Sequence, residues 1–136
     1  MNITVIDGHG GMLGAQIVRE IVSRFESVSI TAIGTNASAT AAMLKAGAHQ
    51  AATGENPVLV AARKADIIIG PIGIVIADSL TGEITPKMAC AIGQADAVRI
   101  LIPMNRCENL VAGVRDLSTT ALIEDVMAKL DKVIGV

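Results

Sequence analysis

The 136-residue chain has no tryptophan, no tyrosine and one phenylalanine, Phe25, although 51% of its residues are hydrophobic. With a single aromatic side chain there is no platform for base stacking, and the core has to be built from Ile, Val, Leu, Ala and Met. Charge is scarce as well. Only 18% of residues are charged, the eleven basic ones are scattered, and the formal net charge is -2. This composition excludes a basic nucleic-acid footprint. Cys90, Cys107, His9 and His49 stand apart in no metal or redox spacing. The thiols therefore read as buried structural residues, and no metal site is expected. A charged leader, a long apolar segment and a small-residue cleavage motif are all missing, which points to a cytoplasmic protein without a membrane partner.

The length fits one domain, residues 1–136, that buries about two-thirds of its unfolded surface. Apolar runs such as Ile67-Ile68-Ile69 suit strands covered on both faces. Period and punctuation predict strands at 3–6, 28–33, 49–52, 66–69 and 98–102, with helices at 11–24 and 38–46, the second stopped by Gly47. Asn56-Pro57 and Thr85-Pro86 each read as a cap followed by proline at the first helical position. Ser118 is expected to cap a last helix that buries Leu122, Ile123, Val126, Met127, Leu130 and Val133. Residues 110–114 form a candidate extra antiparallel edge strand. Together these elements predict an α/β three-layer sandwich, Rossmann-like, with a mainly parallel sheet in the order 3-2-1-4-5.

That order puts the turn after the first strand at the topological switch point. Gly8, His9, Gly10, Gly11, Met12, Leu13 and Gly14 link an apolar strand to an amphipathic helix. Glycine allows close backbone approach, and helix-start amides favour an anion, so a phosphate is the expected ligand. Gly34, Thr35 and Asn36 at the end of the second strand are candidates for the ribose. Gly70, Pro71 and Gly73 are expected across the cleft. Within the turn, Asp7 is read as hydrogen-bonding loop amides and His9 as a solvent-exposed histidine. The long connection from Gly70 to Lys87 is expected to wall the cleft and contact a second subunit. It supplies Asp78, Ser79, Thr81 and Glu83, while Ile74 to Ile76 need burial. Arg106, just past the fifth strand, is a candidate to reach a phosphate, although a surface ion pair is the commoner fate of such a residue.

Gly8, Gly11 and Gly14 fit G-x-x-G-x-x-G, which resembles the opening of extended short-chain dehydrogenases and implies NAD or NADP. Two departures limit that resemblance. No acid follows the second strand, and the Tyr-x-x-x-Lys catalytic pair is impossible in a chain without tyrosine. Dehydrogenase catalysis of that type is excluded. Over its full length the sequence resembles a bacterial domain-of-unknown-function family, found mainly in Firmicutes, of short Rossmann-like proteins. The segments that carry this resemblance include Ile6-Asp7-Gly8-His9-Gly10-Gly11, Lys64-Ala65-Asp66-Ile67-Ile68-Ile69-Gly70-Pro71-Ile72-Gly73-Ile74 and Ile102-Pro103-Met104-Asn105-Arg106-Cys107. It implies no activity or catalytic residue.

The functional expectation is a nucleotide or dinucleotide (NAD(P)-like) binding module, sensing rather than catalysing, and homodimeric. Gly11→Val is expected to abolish ligand binding with the fold intact. One alternative is a small enzyme that uses Asp7, His9 or Glu83 on a phosphorylated substrate at a dimer-shared cleft. The other is a structural subunit without a ligand.

Overall fold

Alternating side chains along the strands sort themselves into two cores, one on each face of a single sheet. The computed structural model describes residues 1–104 and 109–135. Strands β1 (Asn2–Asp7), β2 (Ser29–Gly34), β3 (Gln50–Thr53), β4 (Ile67–Pro71) and β5 (Val98–Ile102) are all parallel, in the expected order β3-β2-β1-β4-β5. Ile3, Val5, Ile30 and Ile67 face helices α1 (Met12–Arg24), α2 (Ala37–Lys45) and α5 (Thr119–Ile134). Ile6, Ile33 and Ile68 face α3 (Glu55–Lys64), a 3-10 turn at Ile72–Val75 and α4 (Pro86–Gln94). Ile67, Ile68 and Ile69 are fully buried, as a run covered on both faces requires.

The helix boundaries follow local chemistry. Thr85 caps α4 by accepting from the Met88 amide at 3.2 Å, and its hydroxyl donates to Glu55 Oε1 at 3.1 Å, which ties α4 to α3. Ser118 caps α5 in the same manner through the Ala121 amide. Across the surface, Arg24 on α1 pairs with Glu124 on α5, which raises the Arg24 pKa and lowers that of Glu124.

Three expectations need correction. Asn56 is not a cap: α3 starts at Glu55 after Gly54, and Pro57 occupies its third position. Proline is tolerated there because first-turn amides have no intrahelical acceptor. Residues 110–114 are not a strand. Val114 N–H closes a turn on Val111 with Gly113 at φ 82°, and Leu110 is 95% exposed. Cys90 is exposed rather than buried, because α4 turns Met88, Ala89 and Ile92 inward and Cys90 outward. Asn105, Arg106 and Cys107 lie outside the described residues. Among the described residues, no helix is long and apolar enough to cross a membrane.

Removing the Thr85 hydroxyl takes away both a cap and the α3–α4 tie. Thr85→Ala is expected to lower stability by about 1–2 kcal/mol in urea unfolding, with Thr85→Ser close to wild type.

Candidate functional site

Asp7 is the last residue of β1 and is 3% exposed. Its Oδ1 accepts from the Gly8 amide at 2.8 Å and its Oδ2 from the Gly14 amide at 2.7 Å. Helix α1 has Gly11 at its N-cap and no side-chain cap, so Asp7 performs that service from the end of the strand. Burial pushes its carboxyl up, against the opposing pull of the Gly14 and Gly8 amides.

The turn glycines divide by purpose. A Cβ on Gly11 would lie 2.6 Å from Ala39 Cα, and Gly11 sits at φ 74°. A Cβ on Gly14 would meet Met43 Sδ at 2.6 Å and Asp7 Cβ at 2.9 Å. These two glycines let α1 approach α2 and β1. Gly11→Val would therefore disturb the fold itself, contrary to the expectation from sequence. Gly8 is covered by Glu83, Thr35 and Leu80, each within 2.9 Å of where its Cβ would be. Gly10 is open, with Met12 Cγ at 4.0 Å as its nearest neighbour.

Glu83 is the residue that organises the mouth of the turn. Its Oε1 accepts from the His9 amide at 3.0 Å and from the Thr35 hydroxyl at 2.8 Å, and its Oε2 accepts from Asn36 Nδ2 at 2.8 Å. Asn36 Nδ2 also donates to the His9 carbonyl at 2.9 Å, and Asn36 Oδ1 caps α2 through the Ala39 amide at 2.8 Å. Both Asn36 Nδ2 protons are thereby committed. Partial burial pushes the Glu83 pKa up, but the bonds from His9, Asn36 and Thr35 outweigh it and hold the carboxyl below its ordinary value.

A strained loop delivers Glu83 to this place. Asp78, Leu80 and Thr81 have φ values of 67°, 55° and 57°, and Gly82 follows at 85°. A β-branched residue in this region is an outlier, at a cost of about 1–3 kcal/mol. Four backbone bonds close the loop: Asp78 to Ile84 at 2.7 Å, Ile84 to Ser79 and Gly82 to Asp78 at 3.2 Å each, and Glu83 to Leu80 at 3.0 Å. The buried Ser79 hydroxyl donates to the Gly73 carbonyl, and Leu80 and Ile84 are buried beneath.

The structure thus gathers Gly8, His9, Thr35 and Asn36 around Glu83 at the carboxyl end of the sheet. Gly34 lies behind them, packed on Thr40. Gly70, Pro71 and Gly73 are buried, and a Cβ on Gly70 would lie 2.5 Å from the Ile6 carbonyl oxygen. The segment facing the turn is the strained loop, with Leu80 and Glu83. Ile74 is buried as expected, whereas Val75 and Ile76 are half-buried. Among the described residues, the amides of Gly10, Met12 and Leu13 donate to no protein group. His9 is exposed, and its imidazole makes no hydrogen bond among the described residues.

From sequence, Glu83 is one polar group of a long connection and one of three candidate groups, with Asp7 and His9, in the alternative enzyme reading. The signal that isolates it is three-dimensional, because 47 residues separate it from Asn36.

A parallel sheet with a 3-2-1-4-5 order and a glycine turn at its switch point defines a Rossmann-like α/β protein. Within that class, the chain belongs to the family described as Domain of unknown function (DUF3842), which matches residues 2–135. No curated protein matches the chain.

Two consequences of this geometry are measurable. Asp7→Asn must turn its NH2 toward the Gly8 or the Gly14 amide, so it is expected to lose about 1–3 kcal/mol in urea unfolding. Glu83 has the pH signature of a lowered carboxyl. Its stabilisation is present above the unfolded value, about 4.3, and is lost as pH falls through the lower folded value. Asp7, with its raised value, contributes stability that falls as pH rises from its unfolded to its folded value. Glu83→Gln is therefore expected to be less stable than wild type at pH 7, with the gap in urea unfolding narrowing as pH falls below the unfolded carboxyl value and through the lower folded one.

Proposed function

We propose that the protein is a binding module for a nucleotide or dinucleotide of the NAD type. The observation that carries this reading is the pairing, at the switch point, of three unpartnered amides with a fixed carboxylate. The Gly10, Met12 and Leu13 amides at the start of α1 suit a phosphate oxygen by hydrogen bonding and by the helix dipole. Glu83 sits on Thr35 and Asn36, at the end of β2, where a dinucleotide fold places the acid that holds ribose hydroxyls. The chain thus supplies from the β4–α4 loop the group that its own β2 lacks. A carboxylate in that position favours a free 2′-hydroxyl over a 2′-phosphate, so NAD is preferred over NADP.

The phosphate cannot use the whole turn. Glu83 already occupies the His9 amide, which leaves the Gly10, Met12 and Leu13 side for the ligand. The reading is one of binding rather than catalysis, since no acid–base pair is built around His9 among the described residues.

The test is a thermal-shift screen of NAD, NADP, FAD, ATP, GTP and S-adenosylmethionine, repeated with Gly10→Val. A ligand at a hundred times its dissociation constant stabilises the fold by roughly 2.7 kcal/mol, a shift of several degrees. NAD is expected to shift wild type, and Gly10→Val is expected to melt as wild type does but to lose the shift. Silence across the panel, or an undiminished shift in the variant, would remove this assignment.

A further inference from the structure

A second feature lies away from the switch point, on the α3 side of the sheet. Helix α3 packs over β1, β2 and β3 and leaves a cavity of about 390 Å³ along its flank, within the size range of small-molecule sites. One register row crosses that cavity: Thr4 of β1 pairs with Thr31 of β2, and Thr31 pairs with Gln50 of β3. The next row on the same face, Ile6, Ile33 and Ala52, is apolar. Gln50 is exposed on the edge strand and Thr31 is half-buried, so the member of this row that runs against the pattern of a helix-covered parallel sheet is Thr4.

Thr4 makes the exception specific. It is 2% exposed, in the middle of the sheet between β2 and β4. Its hydroxyl has no hydrogen-bond partner among the described residues, yet it is not sealed from solvent. The cavity is therefore what it opens into. Valine has the same shape and would carry no unpaired group, so the hydroxyl adds nothing to packing. Beside it, Thr31 Oγ1 accepts from Gln50 Nε2 at 2.9 Å, which leaves the Thr31 proton and Gln50 Oε1 available. Lys64 stands on the wall and makes no ion pair among the described residues. No Asp or Glu lines the cavity.

We propose that this cavity binds a small organic monoanion, a hydroxy or keto carboxylate. Its polar edge meets the Thr4–Thr31–Gln50 row, and its carboxylate meets Lys64. The site shares no residue with the switch-point site, so the two readings stand or fall separately.

The test is a titration of the isotope-labelled protein with lactate, 3-hydroxybutyrate and pyruvate, and with the matching carboxamides, read by amide chemical shifts. At least one acid is expected to shift the amides of Thr4, Thr31, Gln50 and Lys64, with its carboxamide binding more weakly. Thr4→Val and Lys64→Met are each expected to weaken that acid by about tenfold, the size of one lost hydrogen bond or charge contact. Thr4→Val is expected to melt no lower than wild type, since it deletes an unpartnered hydroxyl.

Four results would overturn the proposal. They are no shift at these amides with any acid, equal binding in both variants, a markedly lower melting temperature for Thr4→Val, or a solution dimer in which these amides are shielded by a second copy.

Discussion

The carboxylate of Asp7 is the point on which the carboxyl end of the sheet depends. Its two oxygens hold the Gly8 and Gly14 amides, one where the chain leaves β1 and one inside the first turn of α1. That bridge sets how α1 departs from the sheet and requires glycine at Gly14, because Asp7 Cβ and Met43 occupy the space a side chain would need. Helix α2 then closes over Gly11, and Asn36, the cap of α2, reaches back to the His9 carbonyl. A buried carboxylate is costly to desolvate, and the two amide bonds offset part of that cost, leaving the carboxyl pushed up.

The loop from Asp78 to Ile84 answers this arrangement from the other side. Its left-handed residues are unfavourable locally and are held by its own backbone bonds and by burial of Leu80 and Ile84. What the strain achieves is the placement of one carboxylate over the turn, where it bonds His9, Thr35 and Asn36 together. Two acids a few residues apart in space are thus treated differently. Asp7 is buried and pushed up, while Glu83, with more donors and more solvent, is held down.

The shortage of aromatic residues shows in how the layers meet. Isoleucine fills both cores, and small residues such as Gly11, Gly14 and Ala39 let helices come close. On the side of α1, α2 and α5 the strand residues in the middle of the sheet are apolar, and the polar ones, Asp7 and Thr53, stand at the strand ends, where they bond the Gly14 amide and the Thr40 hydroxyl. The α3 side keeps a polar row at Thr4, Thr31 and Gln50, and the cavity lies over that row.

Much of this was legible from residues that act locally. The apolar runs, Thr85-Pro86, Ser118 and Gly47 fix strands and helix ends through nearest-neighbour chemistry, and right-handed crossovers then restrict the strand order. The same local logic misplaced the start of α3, because Asn-Pro is a cap signal in either register and only the chain path through Gly54 separates them. It also gave residues 110–114 a strand, since alternation cannot report whether an edge is there to receive one. The sequence by itself therefore determined the α/β class, the alternation of its elements and the glycine turn at the end of β1. Only the tertiary structure decided that Gly11 and Gly14 serve packing, that Glu83 supplies an acid beside β2, and that Thr4 opens into a cavity. Each of these depends on contacts between segments far apart in the chain, which periodicity and capping rules do not encode.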